Sequence, residues 1–142
     1  MLSSSNRFLR DRATKALVCL LSDRLAAVSQ LVERFARVND PYVVERVCAV
    51  SYATAMRSQD ATRVAALART VHQHVFAAGS PVPHILLRDY ARGVIERAVM
   101  LNPDLERELE GFRPPYASEW PHIPSQEEIG SLLPDWSEGS RE

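Results

Sequence analysis

From residue 7 to residue 100 the apolar side chains recur every three or four positions, almost without interruption. That spacing lines them along one side of a helix, whereas a strand would alternate every second residue. No segment sustains a period of two with β-branched enrichment, so no sheet is expected. The breaks in the pattern set the elements. A first helix is predicted from about Asn6 to Leu21, with Leu9, Ala13, Ala16, Leu17 and Leu20 as its apolar stripe. A second runs from about Arg24 to Val38 on Leu25, Val28, Val32 and Phe35. Asn39-Asp40-Pro41 follows, where Asp40 suits the N-cap of a third helix and Pro41 its first turn. That helix runs to Arg57 on Val43, Val47 and Val50. A fourth spans Ala61 to about Ala77 on Val64, Leu67, Ala68, Val71 and Val75. Gly79 through Pro83 makes a loop, since Gly ends a helix and the prolines prevent its continuation. The fifth helix, about His84 to Met100, carries Leu87, Ala91, Val94, Ile95 and Ala98.

The chain then changes character. A short helix from Asp104 to Glu110 closes at Gly111, and residues 112–142 form an extension rich in proline and aromatic residues. Residues 113–121 are expected to be extended, with Tyr116 and Trp120 folding back over the open end of the helices. Ser125 and Glu128 have capping-box spacing for one more short helix, which Pro134 would end before a loose tail from Trp136.

The helices are not independent designs. Asp11-Arg12, Glu45-Arg46 and Asp89-Tyr90 each lead into a run of small and apolar residues, at offsets of 34 and 44 residues. Helix-pair repeats have about that period. The Asp40-Pro41 turn before Val43, Val44 and Arg46 resembles a HEAT repeat. A single pair cannot bury both its faces, so neighbours must stack, and Ala49, Ala53 and Ala91 would permit close approach. The expected fold is therefore all-α: a HEAT/armadillo-like α-solenoid segment of about five main helices over residues 1–111, plus the Pro-rich tail. Its order begins on the second helix of a pair, as in a piece of a longer array, with Arg7, Arg10 and Lys15 giving the first helix a polar outer face. A five-helix globule without repeat kinship is the alternative.

Charge and cysteine content narrow the function. The formal net charge of −1 supplies no basic field to attract nucleic acid or anionic lipid. Lys15 is the only lysine, so the cations are nearly all arginine, which matches either bidentate pairing with carboxylates or codon usage. No apolar run approaches the ~18 residues of a membrane span, and Met1 to Arg12 is no signal peptide. A cytoplasmic protein is expected. Cys19 and Cys48 lie inside apolar helical patterns, where a free cysteine acts as a small buried hydrophobe, and no paired Cys spacing suggests zinc.

No catalytic, cofactor or metal site is expected. His72 and His74, two positions apart on a helix, point about 200° from each other and cannot share an ion. His84 opens a helix, where capping fits, and His122 has no evident partner. The zinc-peptidase and nucleophile-elbow motifs are missing. Pro114-Pro115-Tyr116 lacks the spacing of a proline-domain ligand, and Tyr42 and Tyr52 read as packing residues. Arg88, Asp89 and Arg92 cluster on one helix and Asp89 can pair with Arg92. With Arg46, they are the candidate interaction residues, or else rungs of an ion-pair ladder, with Glu45–Arg46 and Asp11–Arg12 as the equivalent rungs.

Four strings carry a family resemblance: Asn39 to Val47, Tyr52 to Ser58, His84 to Glu96 and Pro114 to Pro121. Together they resemble the C-terminal helical repeat region of large bacterial STAND ATPases of the antiviral Avs (AVAST) type, across most of residues 7–130. In that family the repeats sense a phage protein while other domains supply ATP hydrolysis and the effector. The chain has no GxxxxGK[ST] phosphate loop and no effector motif, so the resemblance implies only the sensor or scaffold role and transfers no single residue. The function expected is thus a non-enzymatic protein-interaction module, a fragment or remnant of such a sensor. Its partner would be a phage protein or the rest of a larger ATPase. The alternative is a stand-alone helical adaptor or regulator.

Overall fold

The computed structural model describes residues 4 and 6–132. Among the described residues it is all-helical: α1 (Arg7–Leu21), α2 (Leu25–Phe35), α3 (Pro41–Arg57), α4 (Ala61–Val75), α5 (Ile85–Leu101), α6 (Leu105–Glu108) and α7 (Gln126–Leu132), with no strand. Pro134 and the expected tail from Trp136 lie outside the described residues.

Side-chain caps fix the starts of most long helices. The first N–H groups of a helix have no partner within it, and a short acceptor at the N-cap satisfies them. Asn6 accepts from the backbone N–H groups of Phe8 and Leu9, Asp40 from Tyr42 and Val43, and Asp60 from Arg63. His84 takes the same role for α5, its Nδ1 accepting from Leu87 N at 3.3 Å. Gly79 and Gly111, at φ +76°, supply the left-handed turns after α4 and α6.

Helix contacts follow the order of the chain in a simple way. α3 packs along α1 on one side and along α5 on the other, while α2 packs along α4. Each of α2 and α4 also packs closely on the helix that follows it, but α1–α2 and α3–α4 barely meet. The result is one row of α1, α3 and α5 beside a second row of α2 and α4. In α3, between two row neighbours and α2, even Ser51 and Thr54 are fully buried, and their hydroxyls donate to the carbonyls of Val47 and Val50 within the helix. All five expected stripe residues of α5 are buried, as are Val64, Leu67, Ala68 and Val71 of α4.

The two ends of the rows differ. Beyond α4 and α5, Leu105, Leu109 and Phe112 are buried against the core. Tyr116 stacks on Phe76 at 5.8 Å between ring centroids and donates its hydroxyl to the Phe112 carbonyl at 2.8 Å. Phe112 and Tyr116, beyond the boundary placed at residue 111, therefore share the core of the helices before them. Trp120 does not fold back as expected, since it remains 71% exposed.

At the α1 end the expected stripe holds only in part, with Ala13 and Leu17 half-buried. Leu9, Ala16 and Leu20 are exposed, Leu20 at 69%, and Phe8 is 77% exposed. The side turned inward is Arg10, Thr14, Leu17, Val18 and Leu21, of which Val18 alone is fully buried and Leu21 packs against the core. A step of one residue rotates a helix face by about 100°, so the most apolar side of α1 points away from α3. The physical reason is that α1 has only one substantial neighbour, α3, and the Asp11–Arg46 ion pair sets which side faces it. Two further expectations fail with the stripe. Arg10 is half-buried, its Nη1 donating to the Ser4 carbonyl, instead of lining the outer face. Cys19 is exposed, whereas Cys48 is buried.

Candidate functional site

Arginine is the residue that laces the first row together. At the N-terminal ends of the helices, Arg46 reaches from α3 back to α1, Nη1 lying 3.1 Å from Asp11 Oδ1. Its Nη2 lies 3.4 Å from Glu45 Oε1. Glu45 is 3% exposed, and its other oxygen lies 3.6 Å from Nε2 of His84, the N-cap of α5. Asp11, Arg46, Glu45 and His84 thus form one continuous chain across three helices. At the opposite ends, Arg57 donates to Ser22 Oγ at 3.3 Å, and Arg97 donates to the Ser58 carbonyl at 2.8 Å. These inter-helix contacts join residues 35, 35 and 39 positions apart.

One ion pair, Asp11–Arg46, joins two of the stacked helices, the other two contacts go to neutral oxygens, and Glu45–Arg46 pairs within α3 as expected. Asp11 pairs with Arg46 and with Arg7, not with Arg12. Asp89 pairs with Arg92 at 2.5 Å inside α5 and reaches no other helix. Arg92 also lies 3.8 Å from Glu96, which Arg113 approaches from the extension. Arg88 turns to the extension as well. It donates to Ser118 Oγ at 2.9 Å and lies 4.9 Å from the Tyr116 ring centroid, within cation–π range. Ser118 in turn donates to the Pro81 carbonyl. Arg46 is thus at the α1–α3 seam, Arg88 holds the extension against α5, and Asp89 and Arg92 pair within α5, so the four make no common site. Arg57 and Arg97 were not singled out in the sequence because each bonds to a neutral oxygen at a helix end, which no charge pattern reveals.

Three of the four histidines have a polar partner. His72 Nε2 lies 2.7 Å from the Glu110 carbonyl and His74 faces elsewhere, as their spacing requires. Beside them, Arg69 grips Glu108 through both oxygens at 2.5 and 2.8 Å, tying α4 to α6, and this hydrogen bonding holds the Glu108 carboxyl below its usual range. His122 does have a partner, Glu128 at 3.3 Å. Glu128 also accepts from Ser125 N while its own N–H donates to Ser125 Oγ, which completes the capping box. Tyr42 is 62% exposed and meets only the edge of His84, so it is no core residue. Tyr52 does pack, against Tyr90 at 6.0 Å.

Among the described residues one cleft, of about 710 Å³, runs along the turn edge. Its walls are Val32 and Phe35 of α2, Val44 and Val47 of α3, Val75 of α4 and the loop at Pro81–Pro83, with Trp120 and Pro121 at the rim. Asp40, His74, His84 and Glu119 supply the polar groups. Cys48 contributes to the lining, but burial, helped by the Glu45 charge, pushes its thiol up to about 12. It is a protonated thiol near neutrality, and the thiolate is the nucleophilic form. The cleft was not anticipated, because its walls come from segments around residues 35, 81 and 120, which only folding brings together.

Among the described residues no three His, Cys, Asp or Glu side chains are grouped to hold a metal ion. No helix among them is long and apolar enough to cross a membrane. Comparison with protein families, characterised proteins and solved structures gives no match.

Proposed function

We propose that the chain is a non-enzymatic protein-interaction module, an α-solenoid segment of HEAT-like repeats with the sensor or scaffold role of the repeats in antiviral STAND ATPases. The carrying observation is the pair of helix rows with arginine contacts recurring at 35–39 residues, each rung reaching from one first-row helix to its predecessor or to the turn at its end. Those separations fall near the period of helix-pair repeats, where each unit buries its face against the next. In this reading the turn-edge cleft receives the partner. Its walls are apolar and its rim carries the carboxylates of Asp40 and Glu119, which suits an apolar segment of a phage protein that also bears a lysine or arginine.

The test is binding. The tagged full chain is co-expressed with each protein of an infecting phage in turn, and captured partners are measured again with Val44→Asp and Val82→Glu, which place charge on the cleft wall. Capture of one phage protein, weakened at least tenfold by either substitution while the thermal melt is unchanged, supports the reading. Capture that is indifferent to both substitutions, or none from the whole set, refutes it.

A further inference from the structure

The geometry points to a second copy of this chain as the occupant of the outer face of α1, with the C-terminal segment His122–Leu132 of each copy lying across α1 of the other. This inference does not depend on the function proposed above. Its first ground is that both surfaces are apolar and unpartnered. Phe8 and Leu20 stand 77% and 69% exposed on α1, and Ile123 and Ile129 stand 86% and 43% exposed on the segment. Among the described residues α7 packs against no other helix to any appreciable extent, which leaves Ile129 43% exposed. Solitary exposed apolar residues are ordinary, but Leu9, 39% exposed, lies within about 20° of Leu20 around the helix, and grouped apolar residues mark a contact surface.

Charge is the second ground. α1 carries Arg7, Arg10, Arg12 and Lys15 against the single carboxylate of Asp11, and Arg12 and Lys15 flank Phe8 and Cys19 on the exposed side. From Pro114 to Leu132 there is no lysine or arginine, while Glu119, Glu127 and Glu128 are all exposed. Opposite potentials of this kind steer two surfaces together and fix their register. Length agrees as well. α1 is about 22 Å long, and four extended residues followed by the seven of α7 span roughly 24 Å. Reciprocal exchange uses the contact twice and closes a two-fold dimer instead of an open fibre.

Sedimentation equilibrium on the full chain tests this, with Phe8→Asp and Ile129→Asp as variants. Both side chains are exposed, so far-UV circular dichroism is expected to match the wild type. The wild type should be a dimer at low ionic strength. It should loosen at about 0.15 M salt, where screening shortens the reach of charge to roughly 8 Å. Each variant alone should be monomeric, or dimerise at least tenfold more weakly. Their mixture should recover a heterodimer, because one intact segment then meets one intact α1. A wild type that stays monomeric at every concentration and salt, as it would if the segment lay on its own α1, overturns the inference. So does a dimer that survives both substitutions, or a mixture that recovers nothing.

Discussion

A tight contact between α3 and α5 can be tested with a single methyl group. Gly93 lies in the middle of α5, facing α3. A Cβ there would sit 2.6 Å from Cε2 and 2.7 Å from Cδ2 of Tyr52. Carbon atoms in favourable contact are about 3.5–4.0 Å apart, so the Tyr52 ring would have to retreat by roughly 1 Å. It is half-buried and rests on Tyr90, which limits where it can go. Forcing extra carbon into a packed contact costs about 1–3 kcal/mol. Against this, Gly→Ala inside a helix gains about 0.8–1 kcal/mol through reduced backbone freedom. The balance for Gly93→Ala is a loss of about 1 kcal/mol. Once Tyr52→Ala has removed the obstruction, the same substitution should instead stabilise by about 1 kcal/mol, giving a coupling energy of about 2 kcal/mol between the sites. Urea unfolding of the four proteins, analysed with a common m-value, measures all these quantities. If Gly93→Ala stabilises equally with and without Tyr52, the ring does not set the α3–α5 distance and the reasoning fails.

Two other perturbations probe the buried thiol and the turn edge. The Cys48 thiol titrates at about 12 in the fold against an ordinary 9.0. A raised native pKa contributes stability that is complete below pH 9 and is lost as pH rises toward 12, at about 1.4 kcal/mol per pH unit. Urea melts between pH 8 and pH 10.5 should therefore show a shallower decline for Cys48→Ala than for the wild type, and identical slopes would contradict the assignment. With a thiol reagent at pH 7.5, the exposed Cys19 should react and Cys48 only on unfolding. Asp40→Ala removes the acceptor for Tyr42 N and Val43 N and should cost about 1 kcal/mol by thermal melt, with Asp40→Ser recovering most of it. A neutral Asp40→Ala would mean that Pro41 alone starts α3.

What the sequence disclosed depended on how many neighbours each helix has. For α3 and α5, each with more than one close neighbour, the stripes drawn from periodicity are buried, while apolar residues off them, such as Ile85, Leu86 and Met100, stay exposed. The caps were equally readable, because Asp40 and the Ser125–Glu128 box act on backbone groups two or three residues away. Contacts made at long range were harder to see. Gly93 reads in sequence as a weak point of a helix, and only the position of Tyr52 gives it a role. The Arg46–Asp11 bridge was hidden because Arg12 looks like the natural partner of Asp11, and Arg46 reaches Asp11 only once the helices are stacked, while keeping its neighbour Glu45. The misread face of α1 has the most to say. Periodicity marks Leu9 and Leu20 for burial, and the fold leaves both in solvent because α1 spends its one close contact on Arg10, Thr14 and Val18. An apolar stripe costs solubility when left bare. The proposed second copy would give that stripe the cover its own fold does not.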